Sequence, residues 1–258
     1  MTRPFWKMSG AGNDFVLLEG PVRGAAAAAR RLCDRRRSVG ADGLLVVERA
    51  GPRLRYFNAD GSETFCGNGS RCAAVWAADR GWTAGREFSF ATAAGDLRAR
   101  LTTRGRAAIA MPAPALLREA FTVTAAGRRW QASWWNTGVP HAVVRVPSVD
   151  AVPVASAGRA LRRHRAFGHA GANVDFVSVD AGGKRLRLRT YERGVEDETL
   201  ACGTGVVAAA AAAQAFGWAR LPVAVVTRGG DTLRVSREDG RTWLEGPAEV
   251  TFTGEIDL

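Results

Sequence analysis

Two short motifs in this sequence combine a cysteine with glycines and a run of small residues. Residues 66–74 read CGNGSRCAA and residues 202–210 read CGTGVVAAA, so each motif is Cys-Gly-polar-Gly followed by alanine-rich chain. An acidic loop precedes each motif, and the two motifs are separated by about half the length of the 258-residue chain. A duplication at this spacing indicates two similar lobes rather than an array of short repeats.

The chain after each motif predicts a helix that is enclosed on all sides, because Val206–Ala213 has no polar face. A thiol at a helix start experiences the positive end of the helix dipole, which lowers its pKa. The adjacent glycines allow close approach of a carboxylate to free N–H groups. Two such groups, one thiolate and one thiol, could remove a proton from one face of a carbon and donate a proton to the other. We therefore predict that Cys66 and Cys202 are catalytic, and that Cys33 and Cys72 are buried and inert.

Composition excludes several other classes of protein. Apolar residues make up 47 % of the chain and charged residues 24 %, which is typical of a globular protein. No apolar run is long enough to span a membrane and no leader opens the chain, so we expect a soluble, cytoplasmic protein. The net charge of +11 comes from arginines scattered along the chain, which favours solvated faces over a nucleic-acid interface. The cysteines and histidines lack zinc-site spacing, so we expect no metal.

The predicted organisation is an α+β fold of two pseudo-symmetric lobes. Each lobe is expected to be a largely antiparallel sheet wrapped around a central helix, with the active site in the cleft between the lobes. Pro112–Pro114 is the best linker candidate. We predict an N-terminal lobe of residues 1–113, which also takes up the C-terminal strand 248–258, and a C-terminal lobe of residues 114–247. The pattern also predicts a helix over Val154–Arg165 and a polar loop over Glu192–Thr199.

At these residues the sequence resembles the diaminopimelate epimerases, which use no pyridoxal phosphate. The resemblance covers essentially the whole chain and rests on several motifs in the family's order. Those motifs are Lys7-Met8 with Gly12-Asn13-Asp14-Phe15, Gly40-Ala41-Asp42-Gly43, Asn58-Ala59-Asp60-Gly61-Ser62-Glu63, Cys66-Gly67-Asn68-Gly69, Pro140-His141, Asn173, Glu192-Arg193-Gly194, and Glu198-Thr199 leading to Cys202-Gly203-Thr204-Gly205.

The resemblance implies a role for each matching position. Cys66 and Cys202 become the two bases of a cofactor-independent epimerisation of LL- and meso-2,6-diaminopimelate, and His141 and Glu192 tune the pKa values of these thiols. The remaining site residues bind the substrate: Asn13, Asn58, Gly67, Asn68, Asn173, Glu192, Arg193, Gly203 and Thr204. The resemblance also implies no cofactor, no nucleic-acid partner and a homodimer that supplies lysine and peptidoglycan precursors.

The sequence departs from the commonest family pattern in places that bear on the distal end of the substrate. Val139 stands where the family usually has asparagine, and Gly43 where some members have glutamine. The loop before Cys66 is one residue shorter than usual, and the loop before Cys202 is one residue longer.

Three alternatives stay open from the sequence. Another amino-acid racemase, acting on proline or hydroxyproline, would use the same two thiols. A cysteine hydrolase would pair Cys66 with His141 and leave the Cys202 motif without a role. A nucleic-acid binder would rely on the net charge and would lose affinity steeply with salt. Asn13, Asn58 and Asn173 could also serve only turns, His141 could be a core histidine, and Arg193 a surface arginine.

Overall fold

The structure, a computed structural model, describes residues 2–49, 52–83 and 85–258. Contacts between Cα atoms divide the chain into a first unit, Met1–Ala110 with Glu245–Leu258, and a second unit, Met111–Leu244. Among the described residues, no helix is both long enough and apolar enough to cross a membrane.

The first unit consists of strands and two helices. Its elements are β1 Thr2–Gly10, β2 Asn13–Glu19, α1 Ala25–Leu32, β3 Gly43–Glu48, β4 Arg53–Asn58, β5 Glu63–Thr64, α2 Gly67–Asp79, β6 Glu87–Thr92, β7 Gly95–Thr103, β8 Arg106–Met111 and β18 Glu249–Asp257.

The second unit is built in the same way. Its elements are β9 Ala115–Ala125, β10 Arg128–Asn136, β11 Pro140–Arg145, α3 Val154–Arg162, β12 Asn173–Val179, β13 Arg185–Glu192, β14 Asp197–Thr199, α4 Gly203–Ala215, β15 Val223–Val226, β16 Thr232–Glu238 and β17 Arg241–Pro247.

Strand pairing repeats between the units. In the first, β2 and β3 pair in parallel across the α1 crossover, and β4 pairs in parallel with β6. In the second, β11 and β12 pair in parallel across α3, and β13 pairs in parallel with β15. The other described pairings are antiparallel, such as β3 with β4 and β12 with β13. Both units therefore contain the same mixed sheet, which confirms the duplication that the two cysteine motifs predicted.

The strand registers define which positions of the two units are equivalent. Phe15 pairs with Gly43 as His141 pairs with Asn173, which makes Phe15 equivalent to His141. In the first unit, Leu45 and Thr64 both pair with Tyr56, one from each side. Asp175 and Thr199 both pair with Thr190 in the same manner. The registers give five equivalent pairs: Phe15 and His141, Leu45 and Asp175, Arg55 and Arg189, Asn58 and Glu192, and Glu63 and Glu198. Cys66 and Cys202 correspond as the N-cap residues of α2 and α4.

The central strands are buried on both faces because a helix covers each face. In β2 and β3, Val16, Leu18, Leu44 and Val46 belong to the same apolar cluster as the buried residues of α1. The other face lies against α2, where Gly69 packs on Phe15 and Leu45. Near-continuous apolar strands are expected for a sheet enclosed in this way.

Helices α2 and α4 are the enclosed helices that the sequence predicted. Ten consecutive residues of α2, from Asn68 to Ala77, are buried, and α4 is buried over most of its length. Cys66 is the N-cap residue of α2 and Cys202 is the N-cap residue of α4. The prediction that both motifs open buried helices is confirmed.

Two local predictions differ from the structure. Helix α3 ends at Arg162 rather than Arg165. The backbone carbonyl of Arg162 accepts a hydrogen bond from Ala172 N–H instead of from a further helical turn, and the backbone at His164 is extended. The predicted polar loop Glu192–Thr199 contains the short strand β14, which pairs with β13.

Candidate active site

Cys66 lies at the start of α2 with hydrogen-bonding groups around its sulfur. Its Sγ accepts from Gly69 N–H at 3.5 Å, and the thiol donates to Asn13 Oδ1 at 3.7 Å. The same Asn13 oxygen accepts from Asn68 Nδ2 at 3.4 Å. Three residues that the sequence assigned to the site, Asn13, Cys66 and Asn68, are thus brought together in the first unit.

A partly exposed ionic network holds Asn13 in place. Asn13 Nδ2 donates to the Asp42 carboxylate, which also accepts from Arg35 at 2.7 Å. Asp14, next in sequence, pairs with Arg35 and with Lys7, both at 2.7 Å. Burial alone would raise the pKa of the Asp14 carboxyl, but the hydrogen bonds and charges of Arg35 and Lys7 outweigh burial and hold this pKa well below its usual range.

Cys202 lies at the start of α4 in a more enclosed and more acidic setting. Its Sγ is 3.4 Å from Thr204 Oγ1. Burial raises the pKa of the Cys202 thiol well above its ordinary value, and the negative charges of Glu192 and Asp175 raise it further. The hydrogen bond with the Thr204 hydroxyl lowers this pKa but does not offset the increase. Resting Cys202 is therefore the protonated thiol. The expectation from sequence that a helix start lowers the pKa of this thiol is wrong, because burial and the charges of Glu192 and Asp175 outweigh the helix dipole.

His141 lies in the second unit beside the Cys202 motif. Its Nε2 is 3.0 Å from Thr204 Oγ1 and its Nδ1 is 2.6 Å from Asp175 Oδ2. Both members of the His141–Asp175 pair are fully buried. Asp175 also accepts from Thr190 Oγ1 at 2.7 Å. The sequence singled out His141 but missed Asp175, whose only signal was its equivalence to apolar Leu45 in the duplicated sheet.

Asn173 connects His141 to the end of β13. Its Oδ1 accepts from Arg193 N–H at 2.7 Å, and its Nδ2 lies 3.4 Å from both Pro140 O and His141 Nε2. Glu192 and Arg193, at the end of β13, are half-buried. The second unit therefore brings together His141, Asn173, Arg193, Cys202 and Thr204.

Asn58 is engaged within its own turn. Its Oδ1 accepts from Tyr56 Oη and its Nδ2 donates to Ser62 Oγ, both at 2.9 Å. These contacts match the turn alternative that the sequence left open.

The loop that leads to each cysteine is anchored by a two-pronged arginine–glutamate pair, which was not predicted from the sequence. Arg55 Nε and Nη2 donate to the two Glu63 oxygens at 2.8 and 2.7 Å. Arg189 makes the same pair of bonds with Glu198 at 2.6 and 2.7 Å. Arg189 is one of the scattered arginines for which the sequence predicted solvated faces. That interpretation is wrong here, because its guanidinium is mostly buried and also donates to two backbone carbonyls.

The two remaining cysteines are buried in apolar surroundings. Burial raises the pKa of Cys33 to about 11 and that of Cys72 to about 12. Both thiols stay protonated at neutral pH, which agrees with the inert roles predicted for them.

Comparison with solved structures defines the class of fold. A PhzF-family phenazine biosynthesis protein from Bacillus anthracis has a TM-score of 0.77 over all of both chains, at 14 % identity. A probable proline racemase from Agrobacterium radiobacter K84 has a TM-score of 0.74 and 17 % identity, covering 99 % of this chain and 93 % of that one. The fold is therefore the two-lobed α+β fold of these proteins.

Sequence comparison then defines the family. The family described as diaminopimelate epimerase matches residues 5–117 and 133–251. The diaminopimelate epimerase of Aquifex aeolicus is 38 % identical over 98 % of this chain and 97 % of its own, and that of Methanocella arvoryzae is 39 % identical over 98 % and 96 %. The chain belongs to the diaminopimelate epimerase family.

Proposed function

We propose that this protein interconverts LL- and meso-2,6-diaminopimelate by inverting the configuration at one α-carbon, without a cofactor. The observation that carries the proposal is the pair of cysteines at equivalent helix starts, Cys66 and Cys202. The names of the relatives supply the substrate class. The reaction would serve the formation of lysine and of peptidoglycan precursors.

The chemistry requires the two sulfurs to act on opposite faces of the same α-carbon. One cysteine, as the thiolate, removes the α-proton, and the other, as the thiol, donates a proton to the opposite face. Cys66 is assigned to deprotonate the LL isomer and Cys202 the meso isomer. Each cycle exchanges the protonation states of the two sulfurs, so the reverse reaction starts from the form that the forward reaction leaves.

The backbone at the two helix starts is proposed to stabilise the carbanion. Negative charge develops on the carboxylate at the reacting carbon, and helix N-termini offer free N–H groups to it. The groups assigned to this carboxylate are the backbones of Gly67–Asn68 and Gly203–Thr204. Glycine at the first position of each helix leaves the approach open on that side.

The distal amino-acid end of the substrate carries an ammonium and a carboxylate. Arg193 is assigned to the carboxylate, because a planar guanidinium can donate two parallel hydrogen bonds. The other residues assigned to substrate binding are Asn13, Asn58, Asn173 and Glu192. Asn58 would have to exchange its bonds to Tyr56 and Ser62 for bonds to the substrate.

A cytoplasmic homodimer is part of the proposal. Strand β18 supports a dimer contact because it carries the exposed apolar side chains Val250 and Phe252. Size-exclusion chromatography with light scattering would test the dimer, with Phe252→Arg expected to give a monomer.

The function is tested by incubating the protein with LL-diaminopimelate and following the meso isomer by chiral chromatography. We expect conversion toward an equilibrium mixture, and Cys66→Ala and Cys202→Ala should each reduce the rate by at least about 10³-fold. Cys33→Ala removes a buried thiol outside the proposed site and should keep the wild-type rate. No conversion by the wild-type protein would refute the function, and full activity of either catalytic-cysteine variant would refute the two-thiol mechanism.

A further inference from the structure

One pair of equivalent core positions is apolar in the first unit and ionisable in the second. In the first unit, Phe15 and Leu45 lie under the start of α2 and are fully buried. In the second unit, the equivalent positions hold His141 and Asp175, also fully buried and joined by a 2.6 Å hydrogen bond. Because Phe15 and Leu45 fill these positions in the first unit, packing of the sheet against the helix does not require an ionisable pair there. Replacing buried ion pairs by apolar residues is often neutral or stabilising, which points to a role in the chemistry.

The bonds around His141 fix which of its nitrogens carries a proton. Asp175 Oδ2 accepts at Nδ1, so Nδ1 is the donor. Asn173 has its Oδ1 committed to Arg193 N–H, which turns its Nδ2 donor toward Nε2. Nε2 of the neutral ring is therefore an acceptor, and the Thr204 hydroxyl, 3.0 Å away, donates to it. The Thr204 oxygen then remains available to accept from the Cys202 thiol at 3.4 Å.

The second glycine of the Cys202 motif holds Asp175 against the start of α4. A Cβ added at Gly205 would lie 2.5 Å from Asp175 Oδ1. At the equivalent Gly69 the nearest atom is the end of the Leu45 side chain. The motif residues of the second unit are thus packed on the carboxylate itself.

We propose that Asp175 is a positioning residue that couples the buried His141 imidazole to Cys202 through the Thr204 hydroxyl. Cys202 gives its proton to Thr204 Oγ1 as the Thr204 hydroxyl proton passes to His141 Nε2. The products are a Cys202 thiolate, an unchanged Thr204 hydroxyl and an imidazolium paired with the Asp175 carboxylate. The reverse transfer restores the thiol. The inference rests on the proposed function, because it describes how Cys202 gains and loses its proton.

Three titratable groups and one hydroxyl, from four elements, surround Cys202, and the three titratable groups determine how the relay responds to pH. The four groups are His141 on β11, Asp175 on β12, Glu192 on β13 and Thr204 on α4. Glu192 and Asp175 both disfavour the thiolate by their charge, whereas a protonated His141 would favour it. Asp175 therefore acts on Cys202 in two opposed ways, and the relay requires that its effect through His141 dominate.

Asp175→Asn separates these two effects. The new side chain keeps the shape and can still accept from Thr190, which directs its amide N–H toward His141 Nδ1. The ring would then carry its proton on Nε2 and could no longer accept one from Thr204. If the direct charge dominated instead, loss of the negative charge would make the Cys202 thiolate easier to form.

The test is the alkylation of each cysteine by iodoacetamide, quantified by peptide mass spectrometry across a pH series. In Asp175→Asn we expect the rate at Cys202 near pH 8 to fall about tenfold, equivalent to one unit of thiol pKa, with the rate at Cys66 unchanged. Thr204→Val should cause the same loss, and Thr204→Ser should restore the wild-type pH profile at Cys202. Asp150→Asn, which removes an exposed carboxylate from the same unit, should change neither cysteine.

An unchanged or faster rate at Cys202 in Asp175→Asn would overturn the relay, as would an equal change at Cys66. If Asp175→Asn does not fold, the double variant His141→Phe with Asp175→Leu reproduces the apolar pair of the first unit and should show the same loss at Cys202. Alkylation needs no epimerase activity. A lack of conversion by the wild-type protein would therefore refute the proposed function and leave the relay to be decided by the alkylation rates alone.

Discussion

Substitution of Gly205 by alanine tests the contact between α4 and the buried carboxylate most simply. Alanine in place of glycine inside a helix ordinarily stabilises by up to about 1 kcal/mol. At Gly205 the new Cβ would lie 2.5 Å from Asp175 Oδ1, 3.2 Å from its Cγ and 3.3 Å from Thr190 Oγ1. Non-bonded heavy atoms pack near about 3.5 Å, so the carboxylate must move by about 1 Å.

Such a movement disrupts hydrogen bonds that have no replacement. Asp175 is fully buried and is held by His141 at 2.6 Å and Thr190 at 2.7 Å. Loss of one hydrogen bond to a charged group costs about 1.5–3 kcal/mol. After a helix gain of about 1 kcal/mol is subtracted, Gly205→Ala should destabilise the protein by about 0.5–2 kcal/mol, equivalent to about 1.5–6 °C in Tm.

Gly69→Ala is the matched control, because Gly69 is the equivalent glycine of the other motif. Its new Cβ would meet the end of the flexible Leu45 side chain at 2.8 Å and the Phe15 ring at 3.4 Å, both apolar. A small rotation of Leu45 relieves this contact, so the stability change should stay within about 1 kcal/mol. Thermal unfolding followed by circular dichroism measures both variants. A Gly205→Ala protein that is as stable as the wild type would refute the packing argument.

Two further predictions follow from the ionic contacts. Lys7 and Arg35 hold the Asp14 pKa below its unfolded value of about 3.9, so the ion pairs of Asp14 stabilise the protein fully above that pH and progressively less as the pH falls below it. Asp14→Asn should therefore flatten the decline of the urea-measured unfolding free energy between about pH 5 and pH 2. An unchanged pH profile would contradict this assignment. Arg189→Met should lower the epimerisation rate about tenfold, because it releases the loop before Cys202. Arg187→Met, on the same strand, breaks only an exposed ion pair with Asp150 and should leave the rate unchanged. Equal rates in the two variants would show that the loop anchor is dispensable.

The helix starts at Cys66 and Cys202 could be predicted from sequence because their signals are local. Each motif places a capping residue, two glycines and an apolar run within a dozen residues, and the match between two such stretches indicates the duplication. The α3 end was missed because nothing in the local sequence marks Arg162 as the last helical residue.

The parts of the site that depend on strand register could not be predicted in this way. Asp175 lies in a stretch that reads only as a buried strand, and its meeting with His141 follows from the parallel pairing of two strands separated by α3. Arg189 reads as one of many surface arginines until β14 brings Glu198 beside it. Pairings between distant segments carry no local signal, since the same residue types would suit a solvated face.

The exchange of the α-hydrogen with solvent tests the central claim most directly. The protein is incubated with LL-diaminopimelate in D₂O, and both isomers are isolated at low conversion and analysed by mass spectrometry. Because one thiol removes the proton and a different, solvent-exchanged thiol delivers its replacement, the account predicts one deuterium at the inverted carbon of the meso product and almost none in the recovered LL substrate. Product that retains the original hydrogen, or equal labelling of substrate and product from the start, would contradict the two-thiol mechanism.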